Sequence, residues 1–109
     1  MVVAAGNQGV DAAERSPAGA ESAFAVGAIG FADNGCGWSN HGDAVNVYAP
    51  GTGITSCGLK PDHYAYMDGT SQATPHVAGR YFAVLQPSNV IYIFCPFYRH
   101  FCDCDECET

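Results

Sequence analysis

A serine at the head of a segment of small residues is the most chemically suggestive residue in this chain. Residues 69–79 read GTSQATPHVAG, and the leading glycine favours a tight turn directly before Ser71. Pro75 is tolerated only in the first turn of a helix, so a helix is predicted to begin at Thr70 or Ser71. The Ser71 hydroxyl would then lie near the positive end of the helix dipole, where a nucleophile is well placed. The alternative is that Ser71 only caps a buried helix.

The order of these residues resembles the nucleophile segment of the subtilisin-like serine proteases (subtilases). The resemblance extends over eleven ordered positions with one tolerant site, which makes it far more specific than a lone G-x-S-x-G. It implies that Ser71 is the catalytic nucleophile of a serine endopeptidase that works through an acyl-enzyme. His76 lies five positions further along the helix, more than one turn away, so we expect it to be structural.

A second segment, residues 1–7, reads MVVAAGN and is typical of a buried parallel strand that ends in a turn. One central parallel strand cannot stand alone, so we expect further strand-forming sequence upstream. In the subtilases this strand ends in an asparagine whose amide donates into the oxyanion hole, and Asn7 matches it. Such a donor stabilises the tetrahedral intermediate by about 3–4 kcal/mol. The resemblance implies that the Ser71 backbone N–H is the second donor and that Thr70 supports the hole. Without Ser71, Asn7 would be read as a turn residue.

Two runs of small residues are implied by the resemblance to form walls of the primary specificity pocket. The first run is Ala4, Ala5 and Gly6, and the second is Ser16, Pro17 and Ala18. Residues 15–20 are expected to be extended, and their small side chains would leave room for a substrate side chain. Ser-Pro pairs are also ordinary in loops, which is the alternative.

The remaining segments predict an α/β fold, namely part of a subtilisin-like parallel sheet with the nucleophile-bearing helix at its centre. Apolar strand-like runs cover residues 24–29, 45–49 and 64–68, the last as a half-buried strand with alternating bulky and small residues. Residues 38–42 read WSNHG and resemble the family's F-S-N-x-G turn. His41 stands where the family varies, so it is not predicted to be a catalytic base. We expect a partial peptidase domain over residues 1–85 and a divergent, Cys-rich tail over 86–109.

Composition excludes several other classes of function. The chain has 109 residues, enough for one small domain, with a formal charge of −7 and only four Lys and Arg residues. That balance argues against nucleic acid or an anionic membrane as partner, and leaves a peptide or protein substrate. No signal peptide is predicted at the N-terminus, so secretion is implied only by the habit of the family. Oligomeric state is not predicted.

The catalytic triad is incomplete in this sequence. The family order is Asp, His, Asn, Ser, and the Asp and His segments would precede Met1. A serine hydroxyl needs an adjacent general base, and no residue here is a convincing substitute. We therefore expect little or no turnover from the chain by itself. An alternative is a non-catalytic remnant that acts as an interaction module by binding a protease or its inhibitor.

No cofactor is predicted to be required, although the resemblance implies that a structural calcium ion is possible. In the proteinase K branch, an Asp in the V-D-I-x-A-P-G strand helps to bind a structural calcium ion. This chain has Asn46 at that position. An amide oxygen can still ligate calcium, but one anionic oxygen is lost, so weaker affinity is expected.

The tail supports a separate hypothesis of a small zinc-binding domain, because thiolates and imidazoles are zinc ligands. The candidate ligands are Cys95, His100, Cys102, Cys104 and Cys107. Their spacing is poor, with one C-x-x-C and no second pair. The interpretation we favour is unselected sequence from a missed exon boundary or a change of reading frame.

Overall fold

The computed structural model describes residues 1–85, with side chains described up to Tyr81. Three parallel strands form a sheet in the order β1-β2-β3. They are β1 (Val2–Ala4), β2 (Phe24–Ile29) and β3 (Val45–Pro50). A hairpin of β4 (Ile54–Cys57) and β5 (Tyr64–Met67) follows, and helix α1 (Thr70–Leu85) ends the described part. The predicted α/β class is confirmed, and the predictions for residues 86–109 lie outside the described residues.

Helix α1 lies against the parallel sheet because both carry small apolar residues where they meet. Strand β2 buries four consecutive residues, 25–28, as expected for a parallel strand that is covered on both faces. On one face a buried cluster joins β2, β3 and α1. Its members are Val26, Ala28, Ala49 and Ala73. On the other face the connection between β1 and β2 contributes Ala12 and Ala18 to a second cluster. Helix α1, which carries Ser71, therefore packs against the central strand of the parallel sheet, as predicted.

The segment predicted to be extended, residues 15–20, instead forms consecutive turns. The Gly19 N–H donates to the Arg15 carbonyl at 2.6 Å, and the Ala20 N–H donates to the Pro17 carbonyl at 3.1 Å. These local bonds fold the segment back on itself, so the prediction of extended backbone was wrong. The reason is that small residues leave the backbone free to satisfy its own donors locally.

Two further details of local structure differ from the sequence-based expectation. Pro75 is the sixth residue of α1 and lies beyond the first turn. Side chains contact two carbonyls in the turn that precedes it: Thr74 Oγ1 donates to the Thr70 carbonyl at 2.7 Å, and His76 Nδ1 lies 2.9 Å from the Gln72 carbonyl oxygen. Strand β5 was expected to be half-buried, but Tyr64 and Tyr66 are about three-quarters exposed, at 74% and 75%. Alternation places both tyrosines on one face without determining which face is covered.

None of the helices within residues 1–85 combines the length and the apolar character that crossing a bilayer requires.

Candidate active site

The turn before α1 is held from the end of β3. The Gly69 N–H donates to the Gly51 carbonyl at 2.8 Å, and the Asp68 carboxylate accepts the Gly53 N–H at 2.6 Å. Gly51 must be a glycine, because a Cβ there would lie 2.6 Å from Ala28 Cβ and 2.8 Å from the Gly69 carbonyl oxygen. The turn is thus fixed to the sheet by backbone contacts too close for any side chain.

Ser71 is the second residue of α1, and its side chain is exposed. The N–H groups of Gln72 and Ala73 donate to the Gly69 carbonyl at 3.1 and 3.2 Å. Among residues 1–85, the Ser71 N–H and the Ser71 hydroxyl have no hydrogen-bond partner. A helix N-terminus leaves such N–H groups free, and here the free one belongs to the residue with the exposed hydroxyl.

Thr70 orients the Asn7 amide. The Thr70 N–H donates to Asn7 Oδ1 at 2.9 Å, and Thr70 Oγ1 donates to the same oxygen at 2.8 Å. Thr70 Oγ1 in turn accepts the Gly6 N–H at 3.1 Å, and the Thr70 side chain is fully buried. Because a backbone N–H can only donate, the Asn7 oxygen must face Thr70. The Asn7 Nδ2 group is then left to donate elsewhere.

Two donors converge beside Ser71. The position that a Cβ on Gly69 would occupy lies 3.5 Å from Asn7 Nδ2, 3.7 Å from the Ser71 backbone nitrogen and 2.6 Å from Gln72 Oε1. An amide N–H and a backbone N–H close to one point can stabilise a negative oxygen there, and the Gln72 oxygen would have to leave that point first. The geometry brings together Ser71, Asn7 and Thr70, the three residues for which the sequence predicted the nucleophile and the oxyanion hole. Their chemical roles stay predictions.

The predicted pocket-wall residues fall into two environments. Ala5 and Ala18 are 1% and 3% exposed and belong to the same core cluster, so only their backbone could face a ligand. Ala4 and Gly6 are half-buried, whereas Ser16 and Pro17 are exposed. The two runs therefore contribute Ala5 and Ala18 to one buried cluster, and their role as pocket walls stays a prediction.

Neither histidine named from the sequence acts on Ser71 through a hydrogen bond. His76 Nδ1 lies 2.9 Å from the Gln72 carbonyl oxygen, one turn back along its own helix. His41 is exposed, and its backbone bonds to Val10 and Ala12. Within residues 1–85, no histidine or carboxylate is hydrogen bonded to Ser71.

Asn46 has a structural contact that the sequence did not indicate. Its Oδ1 accepts the Ala25 N–H at 2.7 Å, where the pairing of β2 with β3 shifts register. One oxygen that could face a cation is thus already bonded to backbone. In the described part of the chain, no group of three or more His, Cys, Asp or Glu residues is placed to hold a metal ion. Binding of calcium stays a prediction.

Sequence reasoning missed a second asparagine near the site. Asn40 is fully buried, and its side chain makes four hydrogen bonds to the stretch that carries Asn7. The available signal was the WSNHG turn, in which a polar residue follows a tryptophan. That pattern alone is typical of an exposed turn. It does not reveal the burial of Asn40, because that burial depends on a segment about thirty positions away in sequence.

Comparisons with known proteins show which family the chain resembles. The profile of the subtilase family matches residues 1–90. A subtilisin-like serine protease of Rhodotorula mucilaginosa is 47% identical over 92 residues, which covers 82% of this chain and 27% of that protein. Cerevisin of Saccharomyces cerevisiae is also 47% identical over 92 residues, covering 82% of this chain and 14% of cerevisin.

A solved structure also matches the fold of this chain. The crystal structure of a cold-adapted subtilisin-like serine proteinase matches with a TM-score of 0.70 and 41% identity, covering 79% of this chain and 31% of that one. The chain thus spans less than a third of the length of the relatives described here. On the family profile and these relatives, the chain belongs to the subtilase family.

Proposed function

We propose that this chain supplies the nucleophile and the oxyanion hole of a subtilisin-like serine endopeptidase. The supporting observation is that Asn7 Nδ2 and the Ser71 backbone nitrogen lie 3.5 and 3.7 Å from one point beside an exposed serine at a helix N-terminus. Peptides and proteins are the proposed substrates. Secretion, as in the habit of the family, is part of the same proposal.

In the proposed reaction, Ser71 Oγ attacks the scissile carbonyl carbon of the substrate while its proton passes to a histidine base. That base lies outside residues 1–85. The carbonyl oxygen becomes negative and accepts hydrogen bonds from Asn7 Nδ2 and the Ser71 N–H, worth about 3–4 kcal/mol for one such donor. The intermediate collapses to an acyl-enzyme and releases the amine, which takes the proton from the histidine. Water then hydrolyses the ester.

Thr70 acts in this scheme by holding the Asn7 oxygen away from the substrate, so that the NH₂ group faces it. The Ala4–Gly6 backbone and the 16–18 turn are proposed as pocket walls. A serine without its base is a weak nucleophile, so the 109-residue chain alone should show little or no turnover.

The test is a graft. Residues 1–85 replace the matching segment of the Rhodotorula mucilaginosa relative, whose remaining sequence is expected to supply the base and its orienting carboxylate. We expect the graft to hydrolyse a fluorogenic peptide and to be labelled by a fluorophosphonate at Ser71. The same graft with Ser71→Ala should do neither. A graft that unfolds cooperatively but shows no hydrolysis would contradict the proposal.

The isolated 109-residue chain is the second arm of this test. We expect no detectable labelling of Ser71 by the same fluorophosphonate. Clear labelling would mean that the chain itself contains a base for Ser71. The proposal that the base must come from elsewhere would then be wrong.

A further inference from the structure

Asn40 is a fully buried amide whose four hydrogen bonds all go to one stretch of chain. Its Oδ1 accepts the backbone N–H groups of Gln8 and Val10 at 3.0 and 3.2 Å. Its Nδ2 donates to the Ala5 carbonyl at 2.8 Å and to Gln8 Oε1 at 3.2 Å. The two backbone donors fix the oxygen and the carbonyl fixes the NH₂ group, so the amide has one possible orientation.

The stretch that Asn40 holds is the one that carries Asn7. The Asn40 side chain bonds to Ala5 and Gln8, on either side of Gly6 and Asn7, and the Asn40 backbone N–H donates to the Gly6 carbonyl at 2.8 Å. A Cβ on Gly6 would overlap the Asn40 amide, so the two groups are in direct contact. Asn7 is thus clamped between Asn40, which holds its neighbours, and Thr70, which holds its side-chain oxygen.

Asn40 is itself tied to the central strand. Ser39 Oγ accepts the Ala28 N–H at 3.0 Å and donates to the Asn40 carbonyl at 3.1 Å, and Ser39 is also buried. A continuous set of hydrogen bonds therefore runs from β2 through the 39–40 turn to the backbone on both sides of Asn7.

We infer that Asn40 is a positioning residue for the oxyanion donor, acting through the backbone of residues 5–10 on Asn7 Nδ2. This inference rests on the proposed function for its catalytic consequence. A donor in an oxyanion hole acts at about 2.7–3.1 Å, and a displacement of about 1 Å can reduce the rate about a hundredfold. Asn40 does not touch the reacting atoms and alters the rate only by where it holds Asn7.

The first experiment uses the full 109-residue chain and needs no catalysis. In ¹⁵N-labelled protein, Asn40→Ala should shift the side-chain NH₂ resonances of Asn7 and speed hydrogen exchange at the Gln8 and Val10 amides by at least tenfold. Asn46→Ala is the matched control, since it also removes an amide that accepts one backbone N–H, at Ala25. It should leave the Asn7 resonances in place. Unchanged Asn7 resonances in Asn40→Ala would overturn the inference.

The second experiment uses the active graft and separates positioning from general stability. Asn40→Ala should lower kcat about 10- to 100-fold with KM within about twofold, because the donor acts mainly in the transition state. In the Asn7→Ala background the same change should lower kcat less than about threefold, since the donor it positions is already gone. A full additive loss in the double variant would overturn the inference.

Asn40→Asp supplies a graded comparison. A carboxylate keeps the acceptors for the Gln8 and Val10 N–H groups but faces the Ala5 carbonyl with an oxygen in place of a donor. We expect exchange at Gln8 and Val10 to stay slow, while the Asn7 resonances shift. If the unsubstituted graft is inactive, the proposed function fails, and the resonance data on the 109-residue chain still decide whether Asn40 positions Asn7.

Discussion

Replacement of Thr70 by valine tests whether its hydroxyl orients the oxyanion donor. Valine has nearly the same shape, so no cavity forms in a site that is fully buried. The hydroxyl accepts the Gly6 N–H and donates to Asn7 Oδ1, and both bonds are lost. Leaving a partly buried N–H without an acceptor costs about 1–2 kcal/mol, and losing the second bond adds about 0.5–1 kcal/mol. We therefore expect the free energy of unfolding to fall by about 2 kcal/mol.

The measurement is urea unfolding of the 109-residue chain, followed by the fluorescence of its single tryptophan, Trp38, which packs against the core beside α1. The control is Thr70→Ser, which keeps both hydrogen bonds and removes one methyl group, at a cost of about 1 kcal/mol. The midpoint should fall further for the valine variant than for the serine variant, with unchanged slope. If Thr70→Ser is the less stable of the two, packing and not the hydroxyl is what matters at this position.

Three other changes have defined outcomes. Gly51→Ala should lower the unfolding midpoint and the kcat of the graft together, because its Cβ would press on Ala28 and Gly69; an unchanged midpoint would refute the close contact. Ser71→Ala should leave the free energy of unfolding within about 0.5 kcal/mol, as expected for an exposed residue, while it abolishes hydrolysis by the graft; residual turnover would point to another nucleophile. Asn7→Asp keeps the acceptor for Thr70 but removes the donor, so kcat should fall about 10²- to 10³-fold with little change in KM. A rise in KM with unchanged kcat would exclude an oxyanion role.

Much of the fold could be predicted because its signals are local. The position of Pro75 predicted that α1 begins at Thr70 or Ser71, and it does begin at Thr70, although Pro75 itself lies beyond the first turn. Short unbroken apolar runs predicted β1 and β2, since parallel strands covered on both faces have no polar side to show. Asn7 and Ser71 were found through motifs that specify both residue type and position.

The features that were missed depend on contacts between distant segments. Nothing in WSNHG shows that Asn40 is buried, because its partners lie about thirty positions away. The turns of residues 15–20 arise from hydrogen bonds that any small-residue segment could make or forgo. The exposure of Tyr64 and Tyr66 depends on which face of the hairpin is covered, and residue alternation alone does not determine it.

The bond between Thr70 and Asn7 joins residues 63 positions apart, and this separation has a consequence for the timing of folding. Contacts between distant residues form slowly, because the loop between them must close first. A chain in which β1 has not yet docked beside α1 already carries Ser71 but has no paired donors. Under the proposed function, proteolytic competence of the graft would therefore require this long-range contact as well as the base, and an incompletely folded graft would be unable to cleave its neighbours.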